Sequence, residues 1–409
     1  GAAGNAVPKT DVEAIQLLLA LAPGRWVSIR GSGKERSTWT YDEASGLWSQ
    51  CEDEFVTLCL QSPWSAQLGE YGSMRHKAIT LFKLAGSFNI VSSTWTTELN
   101  VLAPGLVPFA NGLYNVADGS CAPFRPDMYL SVKFEDMNAP TAAEMQGNSQ
   151  AFQVAFQVTR QMIFRMFPEA ALRSEAMKRL ASSFFVGKPM VGKYFLQFFA
   201  DGDNGKSTLF LVLSNAFPTW IKVLDIEHLL MTGHRTNANA AQPWKMTIMG
   251  ARLVLFEEWS DGSDGSAASV FDGKLLCKLR GGGLITGRYL YGNDVTYRPT
   301  YRLVGGGNSP MVLQPMDKAV LKSIHAFEMP SVFVPPADAR LGPPPQQNHF
   351  PRTDLIDERF KERAYQVALF RILGEYYREY ERDGLDSQQS AYDRRDVYEE
   401  TAGKTNLEW

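Results

Sequence analysis

Lys206, Ser207 and Thr208 close the segment F-F-A-D-G-D-N-G-K-S-T-L (residues 198–209), in which an apolar run meets a glycine-bearing loop and then a helix start. Such a loop can turn successive backbone N–H groups inward around an anion, a conformation that needs glycine and small residues. The helix that follows adds the positive end of its dipole. That is phosphate-binding chemistry. Gly202, Asp203, Asn204, Gly205, Lys206, Ser207 and Thr208 would form the cradle for ATP. Lys206 would reach the β- and γ-phosphates, and Ser207 would place its hydroxyl on Mg2+. Ala200 stands where the usual G-x-x-x-x-G-K-[ST] pattern has its first glycine, a difference of one methyl group. The plainer alternative is a glycine turn carrying an exposed lysine.

A second group of chemical residues lies in A-R-L-V-L-F-E-E-W, where the apolar stretch 253–256 runs into Glu257 and Glu258. A carboxylate at a strand tip beside the loop, Glu257, can hold the Mg2+ shell, and its neighbour Glu258 can orient and deprotonate an attacking water. Two solvated acids at a strand end are the alternative. Further on, Y-R-P-T-Y-R-L-V-G-G-G-N-S-P reads as a strand that stops at Asn308, whose side chain would sense the γ-phosphate; asparagine two residues before Pro310 is also an ordinary turn residue. Between these strands, L-R-G-G-G-L-I-T-G-R-Y-L-Y-G-N has the form of a hairpin with Arg288, Tyr289, Leu290 and Tyr291 near its tip. A cation that meets phosphate and rings that stack on bases suit single-stranded DNA, although the same rings can pack on the sheet instead.

The elements that must position these residues alternate. Strand patterns at 194–199, 220–224 and 251–256 are separated by helical ones at 206–217 and 227–231, which predicts an α/β sheet with ligands at the strand carboxyl ends. Helical periodicity covers 151–167 and 169–185. Nearer the start, a helix is expected over 11–21, then strand, turn and strand in W-T-Y-D-E-A-S-G-L-W, and a scaffold hairpin over 107–120. Six prolines in 334–351 predict an extended connector, followed by a helix over 354–383 that stops at Gly384. The expected units are an N-terminal α+β domain (1–168), the phosphate-loop core (169–334), and a connector with a helical tail (335–409).

With 409 residues and 44% hydrophobic content, the chain can bury sizeable cores. A net charge of -3 argues against a protein that coats nucleic acid through a generally basic surface. It leaves room for a local channel, because Lys274, Lys278, Arg280, Arg288, Arg298 and Arg302 face only Asp294 in their stretch. Cys51, Cys59, Cys121 and Cys277 form no C-x-x-C and suit a reducing intracellular compartment, and the five histidines lack zinc-site spacing. No apolar run approaches the roughly 20 residues of a membrane span, and the first residues lack the pattern of a secretory signal.

In this order the motifs resemble a superfamily 3 helicase, most closely the helicase part of the primase-helicases of poxviruses and other nucleocytoplasmic large DNA viruses. The likeness is carried by N-G-L-Y-N at 111–115, P-D-M-Y-L at 126–130, the glycine loop, T-G-H-R-T-N-A-N at 232–239, G-A-R-L-V-L-F-E-E, G-R-Y-L-Y, Y-R-P-T and N-S-P. M-P-S-V-F-V at 329–334 and the tail R-I-L-G-E-Y-Y-R-E-Y-E-R-D-G-L complete it. The resemblance implies an AAA+-like P-loop core in which Lys206 and Ser207 bind ATP and Mg2+. Glu258 matches the more constant acid, Asn308 is the sensor, and Arg288 belongs to a DNA-contacting hairpin beside Lys278.

Three positions depart from the family pattern. Cys277 stands where a lysine is usual, Gly283 replaces an aspartate, and Lys322 occupies the place of the arginine supplied to a neighbouring subunit's ATP. Arg235 or Arg302 would be the substitute. The implied activity is that of a ring, hexameric by analogy, that moves 3′ to 5′ on single-stranded DNA and unwinds the replication fork during viral DNA replication. That work would take place in the host cytoplasm or nucleus, with an upstream primase domain or replication factors as partners. Two other readings stay open: an ATP-binding structural or regulatory ring subunit with weak hydrolysis, and a non-helicase AAA+-like DNA motor.

Overall fold

A computed structural model describes residues 10–21, 24–30, 36–49, 80, 90–91, 98–187, 193–231, 242–262, 267–280, 282–288, 294–343, 346–385, 394 and 396–398. After the helix Asp11–Leu21 come strands β1 (Trp26–Arg30), β2 (Arg36–Asp42), β3 (Leu47–Ser49), β4 (Ile90–Val91), β5 (Leu106–Phe109), β6 (Gly112–Asn115) and β7 (Cys121–Ala122). Helices Gln150–Met166 and Ala170–Val186 lead into β8 (Phe195–Phe199), the helix Lys206–Ala216, β9 (Ile221–Val223), the short helix Pro243–Thr247 and β10 (Leu253–Glu257). Then follow β11 (Val270–Asp272), the helix Gly273–Arg280, β12 (Ile285–Gly287), β13 (Val295–Tyr297), β14 (Arg302–Gly307), β15 (Val312–Gln314) and β16 (Ile324–Glu328). Strands β17 (Val332–Val334) and β18 (His349–Pro351) precede the long helix Arg363–Asp383.

Strands β16, β8, β14, β10 and β9 form one five-stranded sheet in that spatial order, every pair parallel. All five residues of β8, F-L-Q-F-F, are buried, as a parallel strand covered on both faces requires. Alternate residues feed two cores. Leu196, Phe198, Leu253, Leu255, Val304 and Phe327 pack with the helices Gln150–Met166, Ala170–Val186, Lys206–Ala216 and Arg363–Asp383. Phe195, Phe199, Val254, Phe256 and Leu303 pack on the other face with Leu276, Leu279, Ile285 and Tyr297. The first core includes Val107 and Phe109 of β5 as well as Phe370, so apolar packing is continuous across residues 168 and 334.

The small sheet β3-β2-β1-β4 packs Trp39, Tyr41 and Trp48 against Met246 and Val295, and so braces the short helix Pro243–Thr247 and the β12/β13 hairpin. Two expectations change. Residues 334–351 are not a plain extended connector: a 3-10 turn, Ala339–Leu341, interrupts them, and β18 returns to pair in parallel with β17. Pro351 can close that ladder because a two-stranded sheet leaves an edge where no proline N–H is needed. The following helix begins at Arg363 rather than near Asp354, because 357–361 form a 3-10 turn that buries Phe360 and gives its Asp357 carbonyl to Asn215 Nδ2 at 3.1 Å. Among the described residues no helix is long and apolar enough to cross a membrane.

The run Gly305, Gly306, Gly307 in β14 is a packing requirement. A Cβ on Gly307 would meet Trp259 Cζ2 at 2.2 Å. Trp259 Nε1 and Gln197 Nε2 both donate to the Ser309 carbonyl, at 3.1 and 3.0 Å, so this contact also fixes the turn carrying Asn308. Gly307→Ala should therefore lower stability by about 1–3 kcal/mol through overpacking. Urea unfolding of the pure protein checks this, and an unchanged midpoint would show that Trp259 has room to move.

Candidate functional site

The carboxyl edge of the five-stranded sheet gathers the predicted chemistry. From β8 the chain turns through 201–205 into the helix Lys206–Ala216. Gly202 (φ 120°), Asp203 (φ 48°) and Gly205 (φ 82°) all have positive φ. At Gly205 a side chain would be strained by the backbone and would also press on Phe333 Cε2 at 3.1 Å and Met166 Cε at 3.2 Å. Lys206 is buried, and its ammonium donates to the Ala200 carbonyl at 3.0 Å and to Asn204 Oδ1. Asn204 is itself held by donation to the Gly202 carbonyl at 2.9 Å. Burial pulls the Lys206 ammonium below the usual lysine range, while Asp201 and Glu257 act in the opposite direction.

Strand β10 brings Glu257 to the same edge, where its carboxylate lies beside the Ser207 side chain. Burial raises the Glu257 carboxyl above the usual glutamate range. The neighbouring Ser207 side chain opposes that shift, the Glu258 charge adds to it, and the Lys206 charge opposes it again. Glu258 leaves the strand at φ 67°, is exposed, and donates its N–H to the Gly306 carbonyl at 3.3 Å. The family likeness singles out Glu258, whereas the acid that touches Ser207 is Glu257. A serine hydroxyl and a carboxylate side by side are hard oxygen donors, the pair that Mg2+ selects. Asn308, just beyond β14, lines the same cavity as the loop.

That cavity has a volume of about 530 Å³ and is bounded by Gly202–Thr208, Asn308, the helix Gln150–Met166, Phe333 and residues 351–357. Phe333, Arg352 and Met166 went unnoticed as site residues in the sequence, since each reaches the loop through distant pairing that no local pattern reports.

Two other predicted cations are elsewhere. Lys322, exposed, precedes β16 at the amino edge of the sheet, opposite the loop, and does not join this chain's own site. Arg302 is buried at the amino end of β14, donates to the Tyr194 carbonyl at 2.7 Å and lies 3.7 Å over the Tyr194 ring. It is a structural residue and cannot substitute for an arginine on phosphate. Arg235 lies outside the described residues.

The expected hairpin is present as antiparallel β12 and β13, with Arg288 4.0 Å from Asp294. Tyr289 and Tyr291 lie outside the described residues. Half of the basic stretch serves the fold: Arg280 donates to the Ala319 carbonyl at 3.0 Å, Arg298 to the Gly282 carbonyl at 2.8 Å, and Arg302 as above. Lys274 and Lys278 are exposed on the helix Gly273–Arg280.

The short helix Pro243–Thr247 adds residues that no sequence motif marks. Tyr297 Oη donates to the Lys245 carbonyl at 2.5 Å, the Lys245 ammonium lies 5.6 Å from the Trp244 ring centre, and Trp244 stacks on His228 at 5.3 Å and 11°. Burial and then the Lys278 charge lower the Lys245 ammonium below its usual range. Like charges so placed suit a polyanion.

No family model and no curated protein matches the chain. Among solved structures, an apo A form of the NrS-1 C-terminal region is similar with a TM-score of 0.38 and 12% identity, over 60% of this chain and 51% of that one. A second apo structure of the same region gives 0.36 and 11%, over 57% and 51%. The chain thus spans about half the length of the solved structures it matches. Its own parallel five-stranded sheet, with helices on the sheet and ligand-competent groups at one edge, makes it a mixed α/β protein consistent with an α/β nucleotide-binding fold.

Proposed function

We propose that this chain is an ATP-driven, ring-forming DNA helicase of the superfamily 3 type, working on single-stranded DNA at a viral replication fork. The observation that carries the reading is the meeting of three strand ends at one edge: the glycine loop with Lys206 and Ser207, Glu257 beside Ser207, and Asn308 just past the intervening strand. Lys206 binds the outer phosphates and the loop amides hold the β-phosphate. Ser207 and Glu257 hold Mg2+, which when bound neutralises charge developing on the transferred phosphoryl group. Glu258 orients and deprotonates the attacking water, and Asn308 contacts the γ-phosphate. Lys322 serves a neighbouring subunit's site in the ring. Arg288 with Lys278 and Lys245 grips the DNA backbone, and Tyr289, Tyr291 and Trp244 offer rings to its bases.

A second reading, an ATP-binding ring subunit with weak hydrolysis, is favoured by Lys322: lysine is a point charge without the planar fork that fits a phosphoryl transition state. The test is ATP hydrolysis with and without single-stranded DNA, with the oligomeric mass recorded alongside. DNA-stimulated turnover in a ring supports the motor. A ring that binds ATP but turns it over no faster with DNA supports the second reading.

A further inference from the structure

We infer that Arg352 is a phosphate-sensing arginine, shared between Asp203 and the terminal phosphate of a nucleoside triphosphate. The inference rests on the reading of the glycine loop as the nucleotide site. Asp203, in the middle of that loop, is fastened twice. Its carbonyl accepts the Phe333 N–H at 2.6 Å, and its carboxylate accepts Arg352 Nη2 at 2.6 Å. Phe333 belongs to β17, and the Arg352 N–H donates to the Val334 carbonyl at 2.7 Å, directly after β18. The β17/β18 ribbon is therefore clamped onto the loop at one residue, through backbone on one strand and a charged side chain on the other.

A carboxylate inside an anion-binding loop repels phosphate unless a cation neutralises it. Arg352 does so, but the pair is 47% and 66% exposed, so it is weakly held and its guanidinium can turn. A triphosphate brings several charges and paired oxygens, a stronger acceptor for the guanidinium fork than one carboxylate. Arg352 lines the cavity together with Gly202–Thr208 and Asn308, within the space a terminal phosphate would enter. The other two arginines of the cavity are engaged: Arg359 donates to Tyr365 Oη at 3.2 Å, and Arg165 lies over the Phe350 ring. Arg352 thus supplies from within the chain the planar cation that Lys322 lacks. Because its backbone extends the ribbon's ladder, the ribbon is pulled toward the loop by a triphosphate more than by a diphosphate.

The test is titration of the whole chain with fluorescent ATP and ADP analogues in Mg2+, for wild type, Arg352→Ala, Arg352→Lys, Asp203→Asn and the double variant Asp203→Asn/Arg352→Ala. Arg352→Ala should weaken triphosphate binding about tenfold or more and diphosphate binding by less than about threefold, because only the triphosphate reaches the guanidinium. Arg352→Lys should recover part of the loss, and Asp203→Asn should tighten triphosphate binding. The double variant should remain as weak as Arg352→Ala. If Arg352 only neutralises Asp203, the double variant returns to wild-type affinity, and that result overturns the inference, as does an equal loss for both nucleotides. Should Arg352→Ala unfold, as a melting curve would show, Arg352→Lys and Asp203→Asn still decide: unchanged triphosphate affinity in both overturns it. Unchanged binding by Lys206→Ala would instead overturn the loop as the nucleotide site.

Discussion

Lys206→Ala is expected to abolish ATP turnover and to weaken ATP binding by about a hundredfold or more, because the loss removes the cation that meets the outer phosphates. The fold should survive it. Both hydrogen-bond partners of the ammonium, the Ala200 carbonyl and Asn204 Oδ1, are neutral, and the attraction of Asp201 and Glu257 is smaller than the cost of burying the charge. Burial lowers the Lys206 pKa, which means that the folded chain holds this proton less well than the unfolded one. Carrying the charge therefore costs stability at neutral pH, and its removal should leave the melting temperature unchanged or higher. Calorimetric titration with ATP and Mg2+, next to a melting curve, separates the outcomes. Binding within a few-fold of wild type would mean that the loop is only a glycine turn; loss of both binding and fold would mean that Lys206 is a structural residue.

Such a site was legible where its signals are local. The apolar run of β8, the glycines, the lysine and hydroxyl, and the helix behind them are consecutive residues, and each constrains the next. The same holds for β10, whose buried residues run straight into Glu257, and for β14, whose last glycine precedes Asn308. What stayed hidden depends on residues far apart in the chain. Asp203 and Arg352 are separated by 149 positions, and the ribbon joining them spans a proline-rich stretch that reads as a connector. Proline removes donors from a ladder, so its density lowers any expectation of strand pairing even where a short edge tolerates it. The fates of Arg280, Arg298 and Arg302 were hidden for a related reason. A sequence counts charges, whereas only packing shows which guanidinium groups are turned inward to satisfy carbonyls. Lys245 and Trp244 were missed because they gain meaning only from the neighbouring hairpin and Lys278.

The two adjacent acids should separate cleanly. Glu258→Gln is expected to bind ATP and Mg2+ normally and to lose about a hundredfold or more in turnover, since proton transfer by a positioned base is worth roughly that much. Glu257→Gln should instead lose the dependence of ATP binding on Mg2+, because Glu257 is the acid beside Ser207. The pKa direction gives an independent check. Burial raises the Glu257 carboxyl above its ordinary value of 4.5, so the folded chain holds this proton more tightly than the unfolded one. The stability this contributes is fully present below pH 4.5 and is lost as the pH rises through the raised folded value, leaving an ionised, half-buried carboxylate at neutral pH. Without nucleotide or metal, Glu257→Gln should therefore melt at a higher temperature than wild type near neutral pH, and the difference should vanish in acid. Turnover by wild type should show an acid limb above pH 4.5 that moves lower as Mg2+ is increased, because a cation on the carboxylate favours its ionised form. A Glu257→Gln protein that is less stable at neutral pH, with Mg2+ dependence intact, would move the metal-holding role to Glu258 and leave Glu257 as a hydrogen-bonding support for Ser207.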